Sequence, residues 1–313
     1  MITLIQLEYL VAVDTYRHFV TAAEKCFVTQ PTLSMQLKKL EEELDVMLFD
    51  RSKQPVVPTL AGEKIIEQAR IVLAEAGKLK LKANESKNEL SGELRIGIIP
   101  TIAPYLLPRF TGDFKRSHPN IHIKIEETVT ERIVELLKKD LLDIGILVTP
   151  LHDEKINEMP LYYEEMMVYA STSHKLSQQV AIKIKDMETP GIWLLSDGHC
   201  FRHQVVNLCN VQEINAGELP FDYEGGTLET LIKIIDKEGG FTLIPELASL
   251  EMDDPKINQV RKFNNVTPVR EVSLVFTRKF AKALLTEAIA SNIQQSVPDE
   301  MLQKERGTIV EWK

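Results

Sequence analysis

The stretch FVTAAEKCFVTQPTLSMQLKKLEEEL, residues 19–44, reads as two helices joined by a tight turn. FVTAAEKCF is a short helical run and VTQ a polar turn. From Pro31 onward, leucines at 33, 37, 40 and 44 recur at spacings of four, three and four, which lines one side of a helix with apolar residues. Proline suits a first helical turn, where its missing N–H costs little, and Thr29 stands where a hydroxyl can cap. Cys26, beside Phe27, reads as a small buried hydrophobe of this core. Upstream, LIQLEYLVAVDTY carries Leu4, Leu7, Leu10 and Val11 at helical spacing. Downstream, FDRSKQPVVPTLAG predicts a short hairpin-like wing closed by Ala61-Gly62.

Two helices and a tight turn within sixty residues form a helix-turn-helix, whose second helix enters the major groove of DNA. Gln30, Thr32, Ser34 and Gln36 carry the donors and acceptors that base edges require, and Lys38 and Arg51 can hold phosphates or the minor groove. Pro31 and Thr59 complete the predicted DNA-facing set. A three-helix structural module with a solvated polar face is the alternative. The chain has a net charge of −9, and residues 1–60 hold six Lys/Arg against eight Asp/Glu. DNA binding would therefore rest on a few placed cations, because a binding face is local.

Residues 61–88 predict one long helix. Ile65, Ala69, Val72, Ala76, Leu79 and Ala83 repeat at four, three, four, three and four, a heptad seam suited to pairing with a second copy. The helix runs into the linker-like NESKNELSGE. Beyond it LRIGII, IHIKIEE, LDIGILV, MMVYAS, IWLLSD, FTLIP and VSLVF are runs of strand length, several separated by helical stretches, which predicts an α/β domain with parallel sheets. The expected organisation is 1–60 for DNA binding, 61–90 for the linker helix and 91–313 for a two-lobed domain. Its first lobe takes about 91–166 and 269–313, and its second about 167–268.

Only three cysteines occur in 313 residues, and two of them share DGHCFRHQVVNLC, residues 197–209. No disulfide framework is possible. There is no N-terminal signal pattern and no long apolar run, so a soluble, reducing, cytoplasmic setting without membrane contact is expected. Cys200 and Cys209 are open to four readings: buried filler, metal ligands, a catalytic pair or a redox switch. His199, Cys200, His203 and Cys209 match no usual zinc spacing, so no metal or cofactor is expected. If 200–209 is helical, the two Cα atoms stand about 13 Å apart, whereas a disulfide spans about 4.4–6.8 Å. Closing the pair would require the segment to give up its helix. Cys200 is the better first reactant, because it follows a strand-to-helix junction whose N–H groups favour a thiolate. Full ionisation speeds a thiol of ordinary pKa at most ~30-fold at pH 7. A fast peroxide reaction therefore needs donors aimed at the breaking O–O bond, and Thr101, Thr130, His199 and Arg270 are the candidates.

The N-terminal residues FVTAAEKCFVTQPTLSMQLKKLEEELDVMLFDR and PTLAG resemble LysR-type transcription regulators, with AA in the second helix, QPxLSxQ opening the third, then LExxL, LFxR and TxAG. Asp45 departs from the family's usual glycine. The resemblance implies a winged helix-turn-helix that binds double-stranded operator DNA, a linker-helix dimer, and a regulatory domain like periplasmic binding proteins. It further implies a homo-oligomer built as a dimer of dimers, with RNA polymerase as a possible partner. IGIIPTIAPYLLP, LSDGHCFRHQ, TLETL and TLIPELA are similar to the hydrogen peroxide-sensing members of that family, and the likeness runs to about residue 280. By that match Cys200 is implied to be the peroxidatic and Cys209 the resolving cysteine, with Thr101, Thr130, His199 and Arg270 around the peroxide. Ile5, Ser196 and His203 depart from the pattern. The expectation is a regulator and not an enzyme, switched by a Cys200–Cys209 disulfide. A small metabolite in the interlobe cleft is the alternative signal.

Overall fold

The computed structural model describes residues 1–85, 92–209, 219–221, 223–264, 266–277 and 283–311. The chain divides into two compact units, 1–89 and 90–313.

In the first unit, α1 (Leu4–Tyr16), α2 (Phe19–Lys25) and α3 (Gln30–Leu44) enclose Leu10, Val13, Ala22, Leu33, Leu37 and Leu40, all fully buried. A capping box between Thr3 and Gln6 starts α1. Asp45 ends α3 at φ 51° and ψ 40°, the left-handed conformation for which glycine is the usual choice. Aspartate tolerates it better than most side chains, so the turn keeps its form without the glycine. Two local expectations fail at the turn before α3. Thr29 does not cap the helix with its side chain, because its hydroxyl bonds Thr32 Oγ1 at 2.8 Å instead. Cys26 is only half-buried and Phe27 is 95% exposed, since the backbone turns into the left-handed region at Phe27 (φ 56°) and swings the ring out of the core.

The wing pairs β1 (Phe49–Asp50) with β2 (Val57–Pro58), antiparallel. Buried Glu41 holds it to α3, accepting from the Leu48 N–H at 2.9 Å and from Arg51 at 2.8 Å. Thr59 donates to the Met47 carbonyl and accepts from the Gly62 N–H, which caps α4 (Leu60–Glu85). A Cβ at Gly62 would collide with the Leu48 carbonyl oxygen, so the LFxR and TxAG motifs meet backbone to backbone. The seam on α4 divides. Ala69 is buried against the core of its own unit with Ile66, and Arg70 bonds Asp14 of α1 at 2.7 Å. Val72 and Leu79 are exposed, and the Ala83 side chain lies outside the described residues.

The second unit runs β3 (Gly92–Ile98), α5 (Ala103–Ser117), β4 (Ile121–Glu127), α6 (Thr130–Lys138), β5 (Ile144–Thr149), β6 (Asn157–Ala170), α7 (Cys200–Cys209), α8 (Leu228–Glu238), β7 (Phe241–Pro245), α9 (Glu246–Leu250), α10 (Asp254–Ile257), β8 (Val260–Arg261), β9 (Pro268–Phe276), α11 (Ala283–Ser296) and β10 (Thr308–Ile309). The sheet order is β4-β3-β5-β9-β6-β7, with β10 beside β9 and β8 beside β6. β3 lies parallel to β4 and β5, but β9 is antiparallel to both β5 and β6, and β7 to β6. The sheet is thus mixed and not parallel. β6 carries the chain away and β9 brings it back, and such a pair must run in opposite directions. β6 changes partner along its length: Asn157–Glu165 pairs with β9, and Met166–Ala170 with β7. IWLLSD is not a strand. It makes a single bridge, Ile192 to Phe241, and its residues 192–195 are apolar because they are buried. Gly97 and Gly145 pair side by side on β3 and β5, and a Cβ on either would strike Ile133 of α6. Their bareness lets α6 settle onto the sheet, which sets where its first residue, Thr130, stands.

Two glycines in α4 separate packing from propensity. Gly62→Ala is expected to lower the stability of the N-terminal unit by about 2 kcal/mol through overpacking. Gly77→Ala, with open space around it, should raise it by up to about 1 kcal/mol. Urea unfolding of the full chain checks both, and equal effects would refute the assignment.

Candidate functional site

The chemistry gathers where β6 and β9 cross the second unit. Arg270 of β9 is fully buried, and burying a guanidinium requires an opposite charge and partners for its donors. Glu164 of β6 supplies the charge, accepting from Arg270 Nε at 2.7 Å, while its other oxygen takes the Leu247 N–H. Burial pushes the Glu164 carboxyl upward and Arg270 pulls it back. Two further Arg270 donors go to Thr101, one to Oγ1 at 3.0 Å and one to the carbonyl at 2.9 Å. Because Thr101 Oγ1 accepts from Arg270, its own proton is left to point elsewhere. The Phe201 ring lies under the guanidinium at 5.1 Å, which ties Arg270 to the residue after Cys200.

Cys200 is the first residue of α7 and is buried. Its thiol pKa is raised, first by burial. The hydroxyl of Thr130, the charge of Arg270 and the Phe201 N–H act the other way. The expectation of a thiolate favoured by the helix start is therefore not met in this state, because desolvation outweighs the helix N-terminus. Thr130 Oγ1 is buried and has no oxygen or nitrogen partner; the group it faces is the Cys200 sulfur. His199 is buried and packs onto Gly226, where a Cβ would lie 3.1 Å from its Nε2. Burial lowers its imidazole pKa, with Glu131 partly offsetting this, so the ring is neutral at pH 7.

Cys209 ends the same helix, also buried, its thiol pushed by burial from 9.0 up to about 12. Both cysteines are free. Nine residues at 100° each place them half a turn apart around α7 as well as about 13 Å along it, so no side-chain rotation joins them. His203 is exposed on α7, and Ser196 donates its N–H to the Gly225 carbonyl. Among the described residues no group of three or more His, Cys, Asp or Glu could hold a metal ion, and no helix is long and apolar enough to cross a membrane.

Glu164 was not evident from the sequence as a site residue. The signal available was two adjacent acids inside the otherwise apolar LYYEEMMVYA, a pattern that a buried ion pair explains.

In the first unit the predicted DNA-facing residues do not share one side of α3. Gln30 bonds Ser34 at 3.0 Å on one flank, in a groove of about 430 Å³ with Arg51 and Lys53. Thr32 and Gln36 lie on the other flank, both half-buried. The most outward positions are Pro31, Met35, Lys38 and Lys39. Met35 is 50% exposed, although an apolar residue on a helix reads as core. Arg51 is committed to Glu41, lies 5.3 Å from the Phe19 ring and remains 39% exposed, while Thr59 serves first as the α4 cap. Lys38 reaches Glu42 at 3.6 Å, and both are exposed.

A helix-turn-helix followed by a long helix, and a second unit with a buried thiol and arginine at strands that lead out and back, define a bacterial regulator of the LysR class. Residues 4–63 match the family of bacterial regulatory helix-turn-helix proteins of the LysR type, and residues 87–296 match the LysR substrate binding domain. The chain belongs to the LysR family. Over 93% of its length it is 33% identical to the hydrogen peroxide-inducible genes activator of Haemophilus influenzae, covering 96% of that protein. Among solved structures it is similar to a full-length OxyR variant from Pseudomonas aeruginosa, with a TM-score of 0.76 and 32% identity, covering 94% of this chain and 98% of that one. It is similar also to a hydrogen peroxide-bound OxyR variant from Corynebacterium glutamicum, with a TM-score of 0.61 and 30% identity over 94% and 92% of the two chains.

The pKa of Cys209 has a consequence for stability. A thiol whose pKa is raised by folding favours the folded form fully below 9.0 and loses that contribution as pH climbs towards 12. Above pH 9.0 the reduced chain should lose about 1.4 kcal/mol more stability per pH unit than Cys209→Ala, measured by urea unfolding. Parallel pH profiles for the two proteins would show that Cys209 is not the titrating group.

Proposed function

We propose that this chain is a DNA-binding transcription regulator that senses hydrogen peroxide through Cys200 and controls oxidative-stress genes. The observation that carries the reading is the environment of Cys200: a buried thiol facing an unpartnered Thr130 hydroxyl, beside an Arg270–Thr101 donor pair, with a second thiol on the far side of the same helix. Similarity to OxyR proteins supports it. A metabolite in the interlobe cleft is disfavoured by the similarity to peroxide-sensing OxyR proteins.

In the proposed reaction, peroxide enters between Cys200 and the donors. The thiol gives up its proton and the sulfur attacks one peroxide oxygen. The O–O bond breaks, and the departing oxygen, held by Thr101, Thr130 and Arg270, takes a proton and leaves as water. Neutral His199 is available to accept or pass a proton. Cys200 is left as a sulfenic acid. Cys209 sulfur then attacks Cys200 sulfur, the S–S bond forms, the S–O bond breaks, and a second water leaves. Two electrons pass from the thiols to one peroxide. Forming this bond dissolves α7, since its two ends can meet only if the helix unwinds.

The winged helix-turn-helix unit binds double-stranded operator DNA through Gln30, Pro31, Thr32, Ser34, Gln36 and Lys38, with Arg51 and Thr59 at the wing. The exposed half of α4 pairs two copies, and two such dimers form a tetramer whose rearrangement changes the contact with DNA and with RNA polymerase. The protein acts in the cytoplasm, beside its DNA, as a stoichiometric switch and not as an enzyme.

With a few equivalents of peroxide, intact-mass and peptide analysis should find the Cys200–Cys209 disulfide. Cys209→Ser should stop at the sulfenic acid, and Thr101→Val should slow sulfenation about a hundredfold. Normal peroxide-induced transcription from Cys200→Ser would sink the reading. Operator affinity should fall roughly a thousandfold between about 50 and 200 mM salt, as phosphate contacts release counterions. A flat salt profile in gel shifts would remove phosphate binding from the account.

A further inference from the structure

The C-terminal strand touches the helix that the proposed reaction must dissolve. On α7, Gln204 is fully buried and donates from Nε2 to the Val310 carbonyl at 2.6 Å, and Asn207 donates from Nδ2 to the Glu311 carbonyl at 3.2 Å. Both acceptors are backbone oxygens of the segment that continues β10. That segment is anchored independently of α7. β10 runs parallel to β9, Thr308 beside Pro268 and Ile309 beside Val269, and the Val310 N–H donates to the Val269 carbonyl at 2.8 Å. Just upstream, Arg306 holds Glu246 and the Tyr163 carbonyl, each at about 2.9 Å. The tail is therefore fixed to β9, next to Arg270, and to the part of β6 that carries Glu164. From there it reaches over to the middle and the last turn of α7.

We infer that Thr308–Glu311 is a latch that holds α7 helical and so sets the rate at which Cys209 reaches Cys200. The inference rests on the peroxide-sensing reading for its purpose, but not for its mechanics. Unwinding α7 withdraws the Gln204 and Asn207 amides from Val310 and Glu311, so opening must break both bonds. The Cys200 end of α7 is held separately, by the Phe201–Arg270 contact. Loosening the tail leaves that end in place. The latch thus acts on the second step, condensation of the sulfenic acid with Cys209, and not on the first, attack of Cys200 on peroxide. Each bond is worth a factor of a few, so losing both should raise the open population roughly tenfold.

Three measurements on the full chain and two variants test this. A chain ending at Gly307 lacks the latch, and Asn207→Ala removes one bond while leaving the tail intact. In the reduced proteins, without peroxide, Cys209 is trapped with methyl methanethiosulfonate. Its rate should rise about tenfold on truncation and about threefold in Asn207→Ala. With peroxide, capture of the Cys200 sulfenic acid by dimedone should proceed at the unaltered rate in both, while disulfide closure accelerates in step with Cys209 trapping. Circular dichroism melting reports the fold. If truncation lowers the melting temperature, Asn207→Ala decides alone. Unchanged Cys209 trapping in a folded variant overturns the latch, and so does an equal change in both chemical steps. Absence of any dimedone adduct in the parent chain would overturn peroxide sensing instead, and the trapping rates would still judge the latch.

Discussion

A guanidinium buried without water is tolerable only if its charge is met and its donors are used, and Arg270 satisfies both with one carboxylate and one threonine. That pair sits where the second unit is joined to itself. It connects β9 to β6 through Glu164, to the turn after β3 through Thr101, and to the start of α7 through the Phe201 ring. Glu164 continues the connection to the Leu247 N–H at the start of α9. Ion pairs of this kind are weak contributors to stability once desolvation is charged against them. What this one provides is orientation. It directs the Thr101 hydroxyl proton away from Arg270 and keeps a positive charge near the Cys200 sulfur without placing it in contact.

Two opposed effects decide the resting state of that sulfur. The start of α7, the Thr130 hydroxyl and Arg270 favour a thiolate, and burial favours the thiol. Burial wins. A thiol held protonated is slow towards general oxidants and disulfides, whose reactions go through the free thiolate. In the proposed mechanism the penalty is overcome only by a reactant small enough to enter and able to use the waiting donors, so burial acts as a filter on what can react.

Much of the first unit was legible because its determinants are local. The leucine spacing of α3, the proline at its start and the glycine after the wing each act within a few residues. The features that escaped were decided at longer range. Phe27 follows the rule for an apolar residue beside a core, but a left-handed backbone angle turns it outward. IWLLSD has the composition of a strand because it is buried, with only one bridge to show for it. The direction of β9 depends on the path of the chain and not on its own residues. Of the thiol site, the cysteines and their neighbours could be named from their rarity and from a resemblance. Glu164 stands more than a hundred residues from its partner in an unremarkable acidic pair, and nothing short of the folded chain brings the two together.

The placement of Cys209 bears on time as much as on chemistry. Within the helix it is out of reach and, with its pKa near 12, almost never a thiolate. In the proposed mechanism, once bonded to Cys200 it cannot return until an outside reductant cleaves the bond, since the second unit holds no third thiol to do so. Peroxide can therefore vanish while the altered shape persists. Such a molecule records that an exposure took place and not how much oxidant is present at a given instant. How long the record lasts is set by the cell's supply of thiol reductants, and the duration of the response is thereby handed to a different branch of metabolism from the one that raised the alarm.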